Sequence, residues 1–150
     1  MKYWLLKTEP SVFSIDDLKA MGKDHWDGIR NYQARNFIRD EMKPGDQVIV
    51  YHSNATPPGA AGTAEVVSEA YADPTQFDPE SKYFDPKSDP ETPRWFVVDV
   101  AWRSTFDRIL SLAELRENAN LAEMQLLRKG NRLSVLPVKK AEYLNILKML

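Results

Sequence analysis

The chain of 150 residues has no cysteine, which excludes a disulfide framework and any thiolate zinc site and makes a reducing compartment, cytosol or nucleus, its natural place. Histidine is almost as scarce. His25 and His52 lie too far apart for a helical ligand pair and match no metalloprotease or deaminase pattern, so neither a metal nor another cofactor is expected. Long apolar runs are missing as well. MKYWLLKTEP meets Lys7, Glu9 and Pro10 far short of a signal-peptide core or the roughly 20 apolar residues of a membrane span, so no membrane partner is expected. Nor is there an excess of positive charge: the net charge is -2, against a protein that holds nucleic acid by blanketing its phosphates. The charge is uneven. From Asp73 to Glu91 six carboxylates face only Lys82 and Lys87, a local net of -4 that leaves the rest of the chain at +2.

What is present is the make-up of one globular domain over residues 1–150, with 43% hydrophobic and 11% aromatic residues. KYWLLK (Lys2 to Lys7) reads as a strand. Ser14 caps a short helix that ends near Gly22, and HWDGIR follows as an irregular turn. NYQARNFIRDEM places Ala34, Phe37, Ile38 and Met42 at helical spacing behind an Asn31 cap, and Pro44-Gly45 ends that helix. QVIVYH (Gln47 to His52) and GTAEVVSEAYA read as two paired strands. Asp73 to Pro93 holds five of the ten prolines and reads as a long, solvated surface loop. RWFVVDVAWR is the strongest strand, with Phe96, Val98, Val100 and Trp102 on one face and Trp95, Val97, Asp99 and Ala101 on the other. One or two short helices, the short strand RLSVLPV and a terminal amphipathic helix complete the chain. The class is α+β, with a curved sheet or small barrel flanked by helices.

Three clusters carry chemistry. Trp26, Arg30, Asn31, Tyr32 and Arg35 bring an indole, two guanidinium groups, an amide and a phenol to the start of one helix, where Asn31, Arg35 and Arg39 share a face. Trp26, in a polar turn with a glycine, reads as a stacking wall for a base, whereas Trp102 continues a core stripe. Tyr51, His52, Ser53 and Asn54 close a strand, Tyr51 with Ser53 on one side and His52 with Asn54 on the other. The Ser-His neighbours make no hydrolase, because the G-x-S-x-G elbow and an orienting acid are missing. Lys7 and Glu9 share a strand face as an ion pair or as ligand groups, and Trp95 is either an aromatic wall or core. Lys129, Arg132 and Ser134 gather near a turn as phosphate contacts or as a solvated basic loop. Aromatic faces with amides and hydroxyls at strand ends are what capture of a single base needs.

The blocks W-L-L-K-T-E-P, S-I-D-D-L-K, W-D-G-I-R-N-Y-Q-A-R-N-F, Y-H-S-N, E-A-Y-A-D-P-T-Q-F, R-W-F-V-V-D-V and R-L-S-V-L-P-V resemble the EVE domain family across nearly the whole chain. They closely resemble its thymocyte nuclear protein branch. That resemblance implies a PUA-like fold, a small mixed barrel with flanking helices, related to PUA, ASCH and YTH domains. It implies a non-catalytic module that binds DNA or RNA through a modified base, a modified cytosine in this branch, in a pocket drawn from the clusters above. Two other classes stay open: an ASCH-like enzyme on nucleotides or small amides, and a protein-interaction module that uses the acidic loop. The long basic N-terminal extension that eukaryotic, nuclear members can carry is not seen, which fits a bacterial cytoplasmic protein better.

Overall fold

The structure is a computed structural model that describes residues 1–150. Strands β1 (Tyr3–Thr8), β2 (Lys23–His25), β3 (Gln47–His52), β4 (Gly59–Val66), β7 (Asp99–Ser111) and β8 (Val135–Val138) form one sheet in the order β2-β7-β4-β3-β1-β8. A two-stranded ribbon of β5 (Tyr71–Ala72) and β6 (Phe96–Val97) stands beside it. β1 and β3 run parallel, and every other pairing is antiparallel. The helices are α1 (Ile15–Met21), α2 (Tyr32–Asn36), which continues into a π-helical turn at Phe37–Glu41, α3 (Leu112–Glu117) and α4 (Lys140–Lys148). None is long and apolar enough to cross a membrane.

Alternation along the strands gives the sheet two buried faces. Trp4, Leu6, Val48, Val50, Ala64 and Val100 meet Ile15, Leu18, Ala34 and Ile38 on one side. Tyr3, Leu5, Ile49, Tyr51, Phe106 and Leu110 meet Leu115, Leu121, Tyr143 and Ile146 on the other. Both faces are covered by helices, which is why β1 and β3 read as near-continuous apolar runs. Asp46, 3% exposed, secures the start of the parallel pair: its carboxylate accepts from the Lys2 and Lys43 amides and from the Trp4 indole.

β7 bends across β4 with register shifts at Ala60/Gly62 and Thr63/Ala64. Gly62 sits there against the Ser104 carbonyl and Ile15, where a Cβ has no room. The bend curls the sheet into a half-barrel. Asp24 and His25 of the edge strand β2 line the same opening as Ser134, beside the opposite edge strand β8. That opening is the seam at which a barrel would close.

The paired strands, the Ser14 and Asn31 caps and the α+β class appear as expected. Three expectations are corrected. The irregular turn starts at Trp26 rather than at His25, because Lys23–His25 pairs with Ala101–Asp99 as an edge strand. The strongest strand is broken at Val98, whose carbonyl accepts from the Trp26 amide, and then runs on to Ser111 instead of ending at Arg103. The long acidic loop is pinned to the domain rather than freely solvated: Asp73 and Gln76 are both fully buried.

Candidate functional site

The seam opens into a cleft of about 750 Å³, within the roughly 300–1,000 Å³ of small-molecule sites. Topology gathers its walls. Because β1 and β3 are parallel and β8 is antiparallel to β1, the ends of β1 (Lys7, Thr8) and β3 (followed by Ser53) and the start of β8 (preceded by Arg132 and Ser134) meet at one edge. Asp24, His25 and the turn Trp26–Ile29 form the facing wall. Phe13, ahead of α1, and Lys82 and Tyr83, from the acidic loop, complete the rim.

Aromatic and ionisable groups share this space. Trp26 meets Phe13 edge to face, with centroids 6.1 Å apart at 82°. His25 stands between two carboxylates, its Nδ1 3.6 Å from Asp24 and its Nε2 3.3 Å from Asp27. Burial pushes the Asp27 carboxyl up from its ordinary range, and the His25 imidazole opposes that shift. Burial likewise pushes the Lys7 ammonium down, and Lys7 takes part in none of the chain's ion pairs. Ser53 and Ser134 complete a set of donors and acceptors for a planar polar ligand.

The facing wall is held by the loop. Arg30 donates from Nε and Nη2 to the Tyr83 carbonyl, from Nη2 to Thr75, and from Nη1 to Asp73 and to the Ile29 carbonyl. That engages all the N–H groups a guanidinium owns. Burial alone would raise Asp73, but bonds from Thr75, Gly28 and Arg30 outweigh it and hold the carboxyl below its usual range. Gln76 bonds the carbonyls of Asp73 and Trp95, and the Trp95 indole donates to Asp85. A chain of stacked groups runs alongside: Arg35 over Tyr32 at 4.8 Å, Tyr32 on Trp95 at 4.8 Å, and Arg30 between Trp95 at 5.4 Å and Tyr83 at 5.5 Å. Gly28 makes the Tyr83 contact possible. It has φ +79°, and a Cβ there would lie 2.6 Å from the phenol ring.

Of the residues singled out in the sequence, the cleft brings together Lys7, Glu9, Trp26, Ser53, Arg132 and Ser134. Lys7 and Glu9 form no ion pair with each other. Trp26 is not the loosely held indole its polar turn implied: it is 6% exposed and belongs to the main core, because its segment is tied to β7. Trp102 keeps to the expected face but only flanks that core, its indole donating to Thr105 and Lys19 lying 5.2 Å over its ring. Arg30, Asn31, Tyr32, Arg35 and Trp95 lie outside the cleft, in the capped helix start and the stacked chain behind its wall. Tyr51 is buried in the second core, and Asn54 turns the chain at φ 49°. His52 is 8% exposed and its Nε2 accepts from the Ile15 amide, so it serves the start of α1. Lys129 borders a second cavity. Sequence reasoning missed Phe13, Asp24, His25, Asp27 and Tyr83. Their only local signal is Gly28, and the rest is topology.

A curled α+β sheet with helices on both faces and a polar-aromatic cleft at its open seam is the architecture of a PUA-like domain. The EVE domain pattern matches residues 2–149, and the chain belongs to the EVE domain family. Human thymocyte nuclear protein 1 is 41% identical over 160 residues, which cover 94% of this chain and 70% of that protein. A crystal structure of human THYN1 protein in complex with 5-methylcytosine containing DNA superposes with a TM-score of 0.91 at 40% identity, covering 99% of this chain and 97% of that one. A Pseudomonas syringae protein superposes with a TM-score of 0.94 at 45% identity over 98% of each chain.

Proposed function

We propose that this chain is a non-catalytic nucleic-acid-binding module that captures one base, a modified base such as a methylated cytosine, in the seam cleft. The observation that carries the reading is the cleft itself, in which three aromatic rings and a His flanked by carboxylates line an open space large enough to admit a base. A cytosine presents its N4 amino group as a donor, which a carboxylate accepts. Asp24 and Asp27 supply such acceptors, Tyr83 and Phe13, the latter backed by the buried Trp26, supply ring faces, and Ser53 and Ser134 supply hydroxyls for the remaining edge. The complex of the human relative with 5-methylcytosine containing DNA supports DNA over RNA as the ligand. In this reading Lys7, Glu9 and Arg132 border the captured nucleotide, while Arg30, Asn31, Tyr32, Arg35, Tyr51, His52, Asn54 and Trp95 hold the walls in place.

Fluorescence anisotropy tests it, with single- and double-stranded DNA and RNA oligonucleotides carrying cytosine, 5-methylcytosine, 5-hydroxymethylcytosine or N6-methyladenine. Binding should be tightest to a DNA with modified cytosine. Tyr83→Ala should weaken it by roughly 5- to 150-fold, the range of a stacking contact worth about 1–3 kcal/mol. Modified nucleosides incubated with the protein should be recovered unchanged. Equal affinity for plain and modified oligonucleotides, or turnover of a nucleoside, overturns the reading.

A further inference from the structure

Beside the cleft lies a second cavity of about 520 Å³, and Lys7 lines both. Its floor is apolar, built from buried Tyr51 and from Leu112, Leu126 and Leu127. Its rim is cationic. Arg116 comes from α3, and Arg128 and Lys129 come from the turn that leads through Asn131 to Arg132 on the rim of the first cleft. None of Lys7, Arg116, Arg128, Lys129 or Arg132 takes part in an ion pair, although the chain as a whole is net negative and pairs a Lys or Arg with a carboxylate at six places elsewhere. Three separate elements thus converge to leave unpaired cations around one cavity, on the same edge of the sheet as the base cleft.

We infer that this second cavity is a phosphodiester site, which seats the backbone of the nucleotide adjoining the captured base while the apolar floor takes its sugar or base. The inference rests on the base-capture reading of the neighbouring cleft, and Lys7, common to both cavities, fixes where the strand passes between them. Phosphate contacts orient a strand without reading its sequence, so the two cavities divide the work into placement and discrimination. A half-buried ammonium with no carboxylate partner, as at Lys7, is suited to an anion brought by the ligand.

The experiment measures the anisotropy of a 5-methylcytosine oligonucleotide and of its unmodified twin across a salt series, for wild type, Arg116→Gln, Arg128→Gln/Lys129→Gln and the triple variant. These positions are exposed, and thermal melts confirm folding. Each cation that meets a phosphate should reduce the log-log salt slope by about 0.7–0.9, the triple variant showing the largest loss, while the ratio of affinities for modified and plain DNA stays constant. An unchanged slope in the triple variant, with that ratio retained, overturns the phosphodiester site and leaves the base cleft standing. A reduced slope in a protein whose wild type never separates modified from plain DNA supports the phosphodiester site and removes the base reading. Failure of wild type to bind any oligonucleotide, with retention on phosphatidylserine vesicles that the triple variant loses, assigns the cations to a lipid surface and overturns both.

Discussion

Two irregular segments border the cleft, and they treat their charges in opposite ways. In the acidic loop, Asp73 to Pro93, the groups nearest the cleft wall are engaged inside the fold: Asp73 with Gly28, Arg30 and Thr75, Gln76 with two carbonyls, and Asp85 with the Trp95 indole. In the basic turn, Arg128 to Arg132, no side-chain cation meets a carboxylate. The lesson is that residue type assigns no role. Arg30 and Arg132 are the same residue in the same neighbourhood, yet one has every N–H directed into the protein and the other faces the cleft. Where the hydrogen bonds go separates scaffold from binding surface.

The sharpest test of this contrast is stability. Asp73→Ala removes a fully buried carboxylate and leaves Arg30 without its counter-charge and the Gly28 and Thr75 amides without their acceptor, so urea denaturation should show a loss of about 3–5 kcal/mol. Arg128→Gln should stay within about 0.5 kcal/mol of wild type, as surface substitutions do. Similar midpoints for the two variants break the comparison. The two tryptophans divide the same way: Trp26→Ala opens the main core and should cost about 3–5 kcal/mol, with Trp102→Ala costing less because Trp102 only flanks it. The reverse order in thermal melts places Trp26 outside the scaffold.

A smaller effect is expected at Gly28. Gly28→Ala forces a left-handed backbone on an L-residue at roughly 1–2 kcal/mol and displaces Tyr83 from the wall. Melting should show the first and a fall in oligonucleotide affinity the second, and full affinity detaches the loop from the site. The smallest effect is titration of His52. Burial holds its imidazole below the ordinary range, opposed by Asp16, and its Nε2 must stay unprotonated to accept from Ile15. As pH falls below about 6.5 the unfolded chain takes up a proton that the native one refuses, so stability drops, by at most about 1.4 kcal/mol per pH unit. His52→Gln should flatten this part of the profile. The Asp73 contribution has the same sign but is lost only below about pH 4, where the unfolded carboxyl protonates. A slope unchanged by His52→Gln removes His52 from the fold's polar scaffold.

Much of the fold was legible because its signals are local. The Asn31 cap lies one residue before its helix, and the apolar runs of β1 and β3 are contiguous. The second half of β7, RSTFDRIL, escaped because only Phe106, Ile109 and Leu110 there reach a core and the bulges break the alternation. The site was legible by halves. Lys7, Glu9, Ser53, Arg132 and Ser134 stand next to readable strand ends, whereas Asp24, His25 and Asp27 join them only because the sheet curls until its edges face each other across the seam. Nothing near Asp73 or Gln76 in sequence says that either is buried, since beyond Thr75 and each other their partners lie at Gly28, Arg30, Ser88, Arg94 and Trp95.

The bond set centred on Arg30 also bears on how such domains diverge. Its partners in the acidic loop, Asp73, Thr75 and the Tyr83 carbonyl, lie more than forty residues away in the chain, and Gly28 joins the same set through Asp73 and the Tyr83 ring. Transplanting a relative's acidic loop into this scaffold therefore requires carrying the Gly28–Arg30 turn with it. The two segments act as one structural unit across the cleft wall.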